Sequence, residues 1–254
     1  MMNILFPDNI FTTLIALTLP ENLRRSLKFH PASVISAELE KDVGSIALIP
    51  TTDLISHQEI LISEKFGISF EGSLCNSYIY FSEDRSIKSL NVTGDISSSE
   101  VILGRILFKE MYNTEVEVGL SASLNKETNN LILAGKQNFY EDRLFDGISF
   151  SEEMIELLSL PYVNFLLASS DERLIRDLEP VLLENIPKVY DNLDKPRQYF
   201  SFSEKTIRYI KQNISSLVLE FNEQDLEAIN QIIMLPYLHG ITKEIIEPKF
   251  IKSK

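Results

Sequence analysis

Thr51, Thr52 and Asp53 place two hydroxyls and a carboxylate directly after Pro50, where an apolar run over 45–49 stops. A run that uniform reads as a parallel strand buried on both faces, since its residues do not alternate. In an open α/β sheet, ligands sit beyond the carboxyl ends of such strands, so the triplet falls where a small molecule is expected. Ser97, Ser98 and Ser99 precede Val101, Ile102, Leu103, Ile106, Leu107 and Met111, which are spaced for one helical face. The serine run supplies the N-cap of that helix, a use compatible with a ligand site at the same place.

Other chemistries find no support in the residue pattern. His30, His57 and His239 are scattered, and the HQE at His57 lacks the second histidine of a zinc-binding helix. With Cys75 as the one cysteine, no metal site is expected and no internal disulfide can form. Cys75 carries no nucleophile pattern and reads as a buried thiol. The chain lacks a G-x-S-x-G elbow, a P-loop and a dinucleotide glycine fingerprint, so no cofactor is expected.

The elements that must hold these residues alternate between strand and helix through the first two thirds of the 254 residues. Strands are expected over 3–6, 27–29, 45–49, 60–62, 67–70 and 77–81, with a turn at 64–66. A helix is expected over 31–41 with Ser33 as its cap. Further strands are expected over 89–92, 115–120, 131–134 and 162–168, and helices from the serine run, from near Phe150, and over 171–184 with Ser170 as cap. From Phe202 the pattern changes to helices only, over 204–212 and 223–238, the latter capped by Asn222. An exposed linker is expected over 191–197. Alternation of this kind predicts an α/β fold.

Composition bounds the partners. The formal charge of −13, from 37 acidic and 24 basic side chains, repels nucleic acid phosphates and anionic lipid. No apolar run approaches the roughly 20 residues of a membrane span. The opening MMNILFPDNIFTTLIALTLP carries Asp8 and no basic flank, so it is expected to be folded chain in a cytoplasmic protein rather than a secretory signal.

Four segments then resemble one family, in order, between about 45 and 170. GSIALIPTTDLISH resembles the D-x-A-L-I-P-x-x-x-L-x-x-H segment of the chorismate dehydratase family of menaquinone biosynthesis by the futalosine route. GSLCNSYIYFS resembles its G-P-V-x-S-V-x-L-F-S strand, the serine run with VILGRILF its serine/threonine-rich turn into a helix, and LSLPYVNFLLA its T-G-L-P-F-V-F-A segment. The resemblance implies a two-lobed fold like a type II periplasmic solute-binding protein, each lobe a mixed, mostly parallel sheet flanked by helices. It implies lobe 1 over 1–82, lobe 2 over 83–168 and a return to lobe 1 over 169–254. The implied reaction is loss of water from chorismate in an interlobe cleft. Ser77 and Asn9 are then the catalytic candidates, and Thr51, Thr52, Asn76, Ser98 and Ser99 the substrate contacts. Ser98 and Ser99 would serve an anion through the helix start. Ser77 also reads as a small buried hydroxyl, and Asn9 as a local cap.

The chain departs from the family pattern at three places. The spacing around Asn9 is shifted and lacks the following proline. Lys136 stands where an aspartate is usual, and the glycine before the SLP segment is absent. These departures motivate an alternative: a binding protein or sensor for a small carboxylate on the same fold, without turnover, or a related enzyme acting on a later naphthoate precursor.

Overall fold

In a computed structural model the chain forms two lobes, each built on one sheet. The structure describes residues 2–82, 89–121, 130–191, 193 and 200–252. The chain opens with β1 (Asn3–Pro7), α1 (Ile10–Thr18), α2 (Glu21–Arg24), β2 (Leu27–His30), α3 (Ile35–Glu40), β3 (Ser45–Pro50) and β4 (Leu61–Phe70). It then crosses to β5 (Ser77–Tyr80), β6 (Ser89–Gly94), α4 (Ser98–Tyr112), β7 (Glu117–Leu120), β8 (Asn130–Ala134), β9 (Ile148–Ser149) and α5 (Phe150–Leu158). It returns through β10 (Tyr162–Ser169), α6 (Glu172–Asp191), α7 (Glu204–Asn213), β11 (Leu217–Glu220), α8 (Glu223–Leu238) and β12 (Lys249–Ile251).

The first sheet has the order β11-β4-β10-β3-β1-β2, with β12 beside β4, and the second has the order β7-β6-β8-β5-β9. The two-lobed α/β architecture with mixed sheets is the expected one. Among the described residues, parallel and antiparallel pairs are equal in number, however, where a parallel majority was expected. In the first sheet β1–β2, β1–β3 and β4–β12 are parallel, and β10–β3, β10–β4 and β11–β4 antiparallel. In the second, β6–β7 and β6–β8 are parallel, and β5–β8 and β5–β9 antiparallel. A strand that returns from the other lobe enters its sheet from the junction side. That is why β10 opposes β3.

Both lobe crossings lie earlier in the chain than expected. β5 pairs in the second sheet and β10 in the first, so the chain crosses between 70 and 77 and again between 158 and 162. Both strands are buried along their whole length, and an apolar run does not say which sheet it joins. The expected turn at 64–66 is absent: β4 runs through it as one strand, bulged where its register against β10 and β11 shifts. Gly67 permits that packing, because a Cβ there would lie 2.4 Å from the Phe165 carbonyl oxygen and 2.2 Å from Phe221 Cζ.

Ser33 caps no helix. It lies in a 3-10 turn over Ala32–Val34, and α3 starts at Ile35 without a side-chain cap. The region expected to be helical only also contributes β11 and β12, both too short to show alternation. Helix α6 continues past Pro187 to Asp191, and most of the linker expected over 191–197 lies outside the described residues, as does the polar segment 83–88. Asn222 caps α8 as expected, its side chain accepting from Gln224 and Asp225 N–H groups. Among the described residues, no helix is long and apolar enough to cross a membrane.

Candidate functional site

The two sheets turn matching edges toward each other. In the first lobe, β1 ends at Pro7 and β3 at Pro50, and β10 begins beside them, with Phe165 opposite Pro50 and Tyr162 opposite Phe70. In the second, β6 ends at Gly94 and β8 at Ala134, opposite the start of β5 at Ser77. The carboxyl ends of the parallel strands of both sheets therefore meet at one junction, the usual place for a ligand in such sheets.

A hydroxyl clasp closes the junction. Thr52 Oγ1 lies 2.6 Å from Ser98 Oγ and 3.0 Å from Ser99 Oγ, across the lobes. Ser98 donates its one proton to Asp53, so Thr52 donates to Ser98 and accepts from Ser99. Ser36 donates to the other oxygen of Asp53. Burial raises the Asp53 carboxyl above its ordinary range, while Ser36, Ser98 and His57 pull it down. Thr51 plays a different part: its hydroxyl donates to the Val163 carbonyl at 2.7 Å, tying β3 to β10 within one lobe.

Behind the clasp sits Glu100, buried and bound on both carboxylate oxygens. Ser77 Oγ donates to one at 2.7 Å, and Ser97 N and Oγ donate to the other at 2.8 and 2.6 Å. Ser97 and Glu100 form a capping box at the start of α4. That signature, serine followed three residues later by glutamate, is present in the sequence. Tyr162 adds a hydroxyl that accepts from Asn164 Nδ2 at 3.1 Å; burial, reinforced by Glu100, holds it well above the ordinary tyrosine range.

Three buried asparagines surround this network. Asn9 caps α1, its Oδ1 accepting from Phe11 and Thr12 N–H at 3.0 Å each, but its Nδ2 has no partner. Asn76, 2 % exposed, has no partner for either amide atom, although its backbone carbonyl accepts from Gly135 N at 2.8 Å. Asn164 is the extra residue where β10 slips register between Val163 and Phe165, and its Oδ1 is unpartnered. Bulges of this kind re-aim a side chain beside functional sites. Asn164 was not singled out from the sequence, because a bulge shows only once the strands are paired.

At the mouth, Lys136 pairs with Asp8 across the lobes at 2.6 Å, and Asp95 accepts from Ala32 N at 2.9 Å. Asp8, Asp95 and Lys136 line a cavity of about 350 Å³ together with Phe29, His30 and Gln137. Burial, with Glu100 and Asp8 adding to it, pushes the Asp95 carboxyl up to about 6 against the pull of the Ala32 N–H. Cys75 is buried against the Ser77 carbonyl and Ser149, and burial raises its thiol, which leaves it inert. Among the described residues, no cluster of histidine, cysteine and carboxylate side chains could hold a metal.

The structure thus brings together Asn9, Thr52, Asn76, Ser77, Ser98 and Ser99, and turns Thr51 away into the first lobe. No protein-family model and no curated protein matches the chain. Solved structures do match it. The alkanesulfonate-binding protein of Xanthomonas axonopodis pv. citri, bound to MOPS, superposes with a TM-score of 0.63 at 12% identity, covering 99% of this chain and 98% of that one. Protein AF1704 from Archaeoglobus fulgidus gives 0.62 at 11% identity over 95% and 98%. A conserved Candida albicans gene product, described as having the generic periplasmic binding protein fold, gives 0.57 at 12% identity over 96% and 91%. The likeness establishes the fold. The chain has the two-lobed periplasmic-binding-protein-like architecture.

Proposed function

We propose that this protein binds a small molecule between its lobes, holding it with the polar side chains of the junction. The observation that carries this reading is Asn76, whose amide is buried at the lobe crossing with no partner for either atom. A buried amide without hydrogen bonds costs about 1–3 kcal/mol, and a ligand that bonds to it would offset that cost. At the clasp and the mouth the lobes are joined by side-chain hydroxyls, the Asp53 carboxylate, one backbone N–H and one exposed ion pair, which water can replace, while ring contacts such as Phe11–Phe139 also cross the junction. The alkanesulfonate-binding neighbour, whose fold this chain shares, supports the same reading by analogy. Thermal-shift measurements against small metabolites test it: a ligand that raises Tm in proportion to the logarithm of its concentration supports binding.

A second reading is favoured by the resemblance to chorismate dehydratases and by the bond from Ser77 to Glu100. A serine hydroxyl polarised by a buried carboxylate could assist proton transfer during loss of water from chorismate. It competes with a fully bonded Glu100, whose oxygens are already engaged by Ser77 and Ser97. Incubation with chorismate, followed by mass spectrometry for the dehydrated product, decides between the two. Product above the no-protein rate establishes a lyase, and a thermal shift without product establishes binding alone.

A further inference from the structure

The unpartnered buried side-chain atoms at the junction are four amide atoms and one carboxylate oxygen, Asp95 Oδ2. Asn9 and Asn76 each offer a free Nδ2 donor, and Asn76 and Asn164 each offer a free Oδ1 acceptor. The three residues are 0, 2 and 1% exposed, and each lies on the edge of its lobe that faces the other. The charged groups around them are acidic or already paired. Glu100 is bound to Ser77 and Ser97, Asp53 to Ser36 and Ser98, and Asp95 to the Ala32 N–H. Lys136 is the one lysine or arginine lining the cavity at the mouth, among the described residues, and it is paired with Asp8. The start of α4, where an anion was expected, is capped by Ser97 and neutralised by the Glu100 carboxylate, with Asp53 beside Ser98.

An anion entering here would meet Asp53, Asp95 and Glu100 with no unpaired lysine or arginine among the residues lining the cavity to balance it. A neutral molecule meets two amide donors and two amide acceptors, with the free Asp95 oxygen as a further acceptor for a hydroxyl or amide N–H. We infer that the ligand between the lobes is uncharged and carries several hydroxyl or amide groups, as a sugar, a polyol or a nucleoside does, its groups exchanging hydrogen bonds with Asn9, Asn76 and Asn164. This rests on the ligand-binding reading above and narrows it.

The test compares two sets of probes by thermal shift at equal concentration: glucose, myo-inositol, uridine and nicotinamide against chorismate, benzoate, succinate and ethanesulfonate. At about 100-fold excess over Kd, a bound ligand raises the Tm of a chain this size by about 5–10 °C. The expected result is a rise with a neutral probe, absent with the anions, and lost in Asn76→Leu. A rise with anions only overturns the inference and leaves the binding reading standing, whereas no rise with any probe counts against the binding reading itself. Asn164→Leu, expected to weaken the same shift, serves if Asn76→Leu fails to fold.

Discussion

Replacing Glu100 by alanine should cost more than any other single change at the junction outside the apolar core. The carboxylate accepts three hydrogen bonds, from Ser77 Oγ at 2.7 Å and from Ser97 N and Oγ at 2.8 and 2.6 Å, while almost wholly buried. Hydrogen bonds to a charged group contribute about 1.5–3 kcal/mol each, and water entering the space left behind recovers part of that. The net loss is therefore about 3–5 kcal/mol, or about 6–20 °C in Tm for a chain of this length. Glu100→Gln keeps the shape and one acceptor oxygen, and the Ser77 hydroxyl can turn to accept from the new amide, so its cost should be about 1–2 kcal/mol. Urea denaturation followed by circular dichroism would measure both. A loss below about 1 kcal/mol for Glu100→Ala, or equal losses for the two variants, would refute the role given to these three bonds.

Thr52→Val removes the hydroxyl that meets Ser98 and Ser99 while keeping its bulk. It should cost about 1–2 kcal/mol and part the lobes, read as a larger radius of gyration in small-angle scattering. Asp95 sets a pH dependence of definite sign. Its carboxyl, at about 6 when folded against an ordinary 3.8, keeps its proton in the folded state where the unfolded chain has lost it. Stability should therefore fall as pH rises between those two values and level off above them, and Asp95→Asn should flatten that slope; an unchanged slope in the variant would contradict the assignment.

Much of the junction was legible in the sequence because it rests on local signals. The uniform run of β3 ends at Pro50 with Thr52 and Asp53 behind it, and the serine run opens α4. Those features follow from burial on both faces and from capping, which neighbours in sequence determine. The features missed depend on pairing between distant segments. Asn164 is a bulge residue only because β4 lies beside β10 in a shifted register, and Thr51 is turned away because Val163 offers it a carbonyl. The assignment of β5 and β10 to the opposite lobes follows from the path of the chain, which their apolar composition does not encode. At the helix start, where an anion was expected, Glu100 stands three residues inside the capping box and accepts from Ser97 N and Oγ.

The most direct test of binding between the lobes is to lock them. Thr52→Cys with Ser98→Cys places two thiols where hydroxyl oxygens lie 2.6 Å apart across the junction, close enough for a disulfide to form, while Cys75 stays buried. With the compound that gives the largest thermal shift on the parent protein, the reduced double variant should bind and the oxidised one should not, and reduction should restore binding. Equal binding by the oxidised and reduced forms would place the ligand elsewhere and contradict the account.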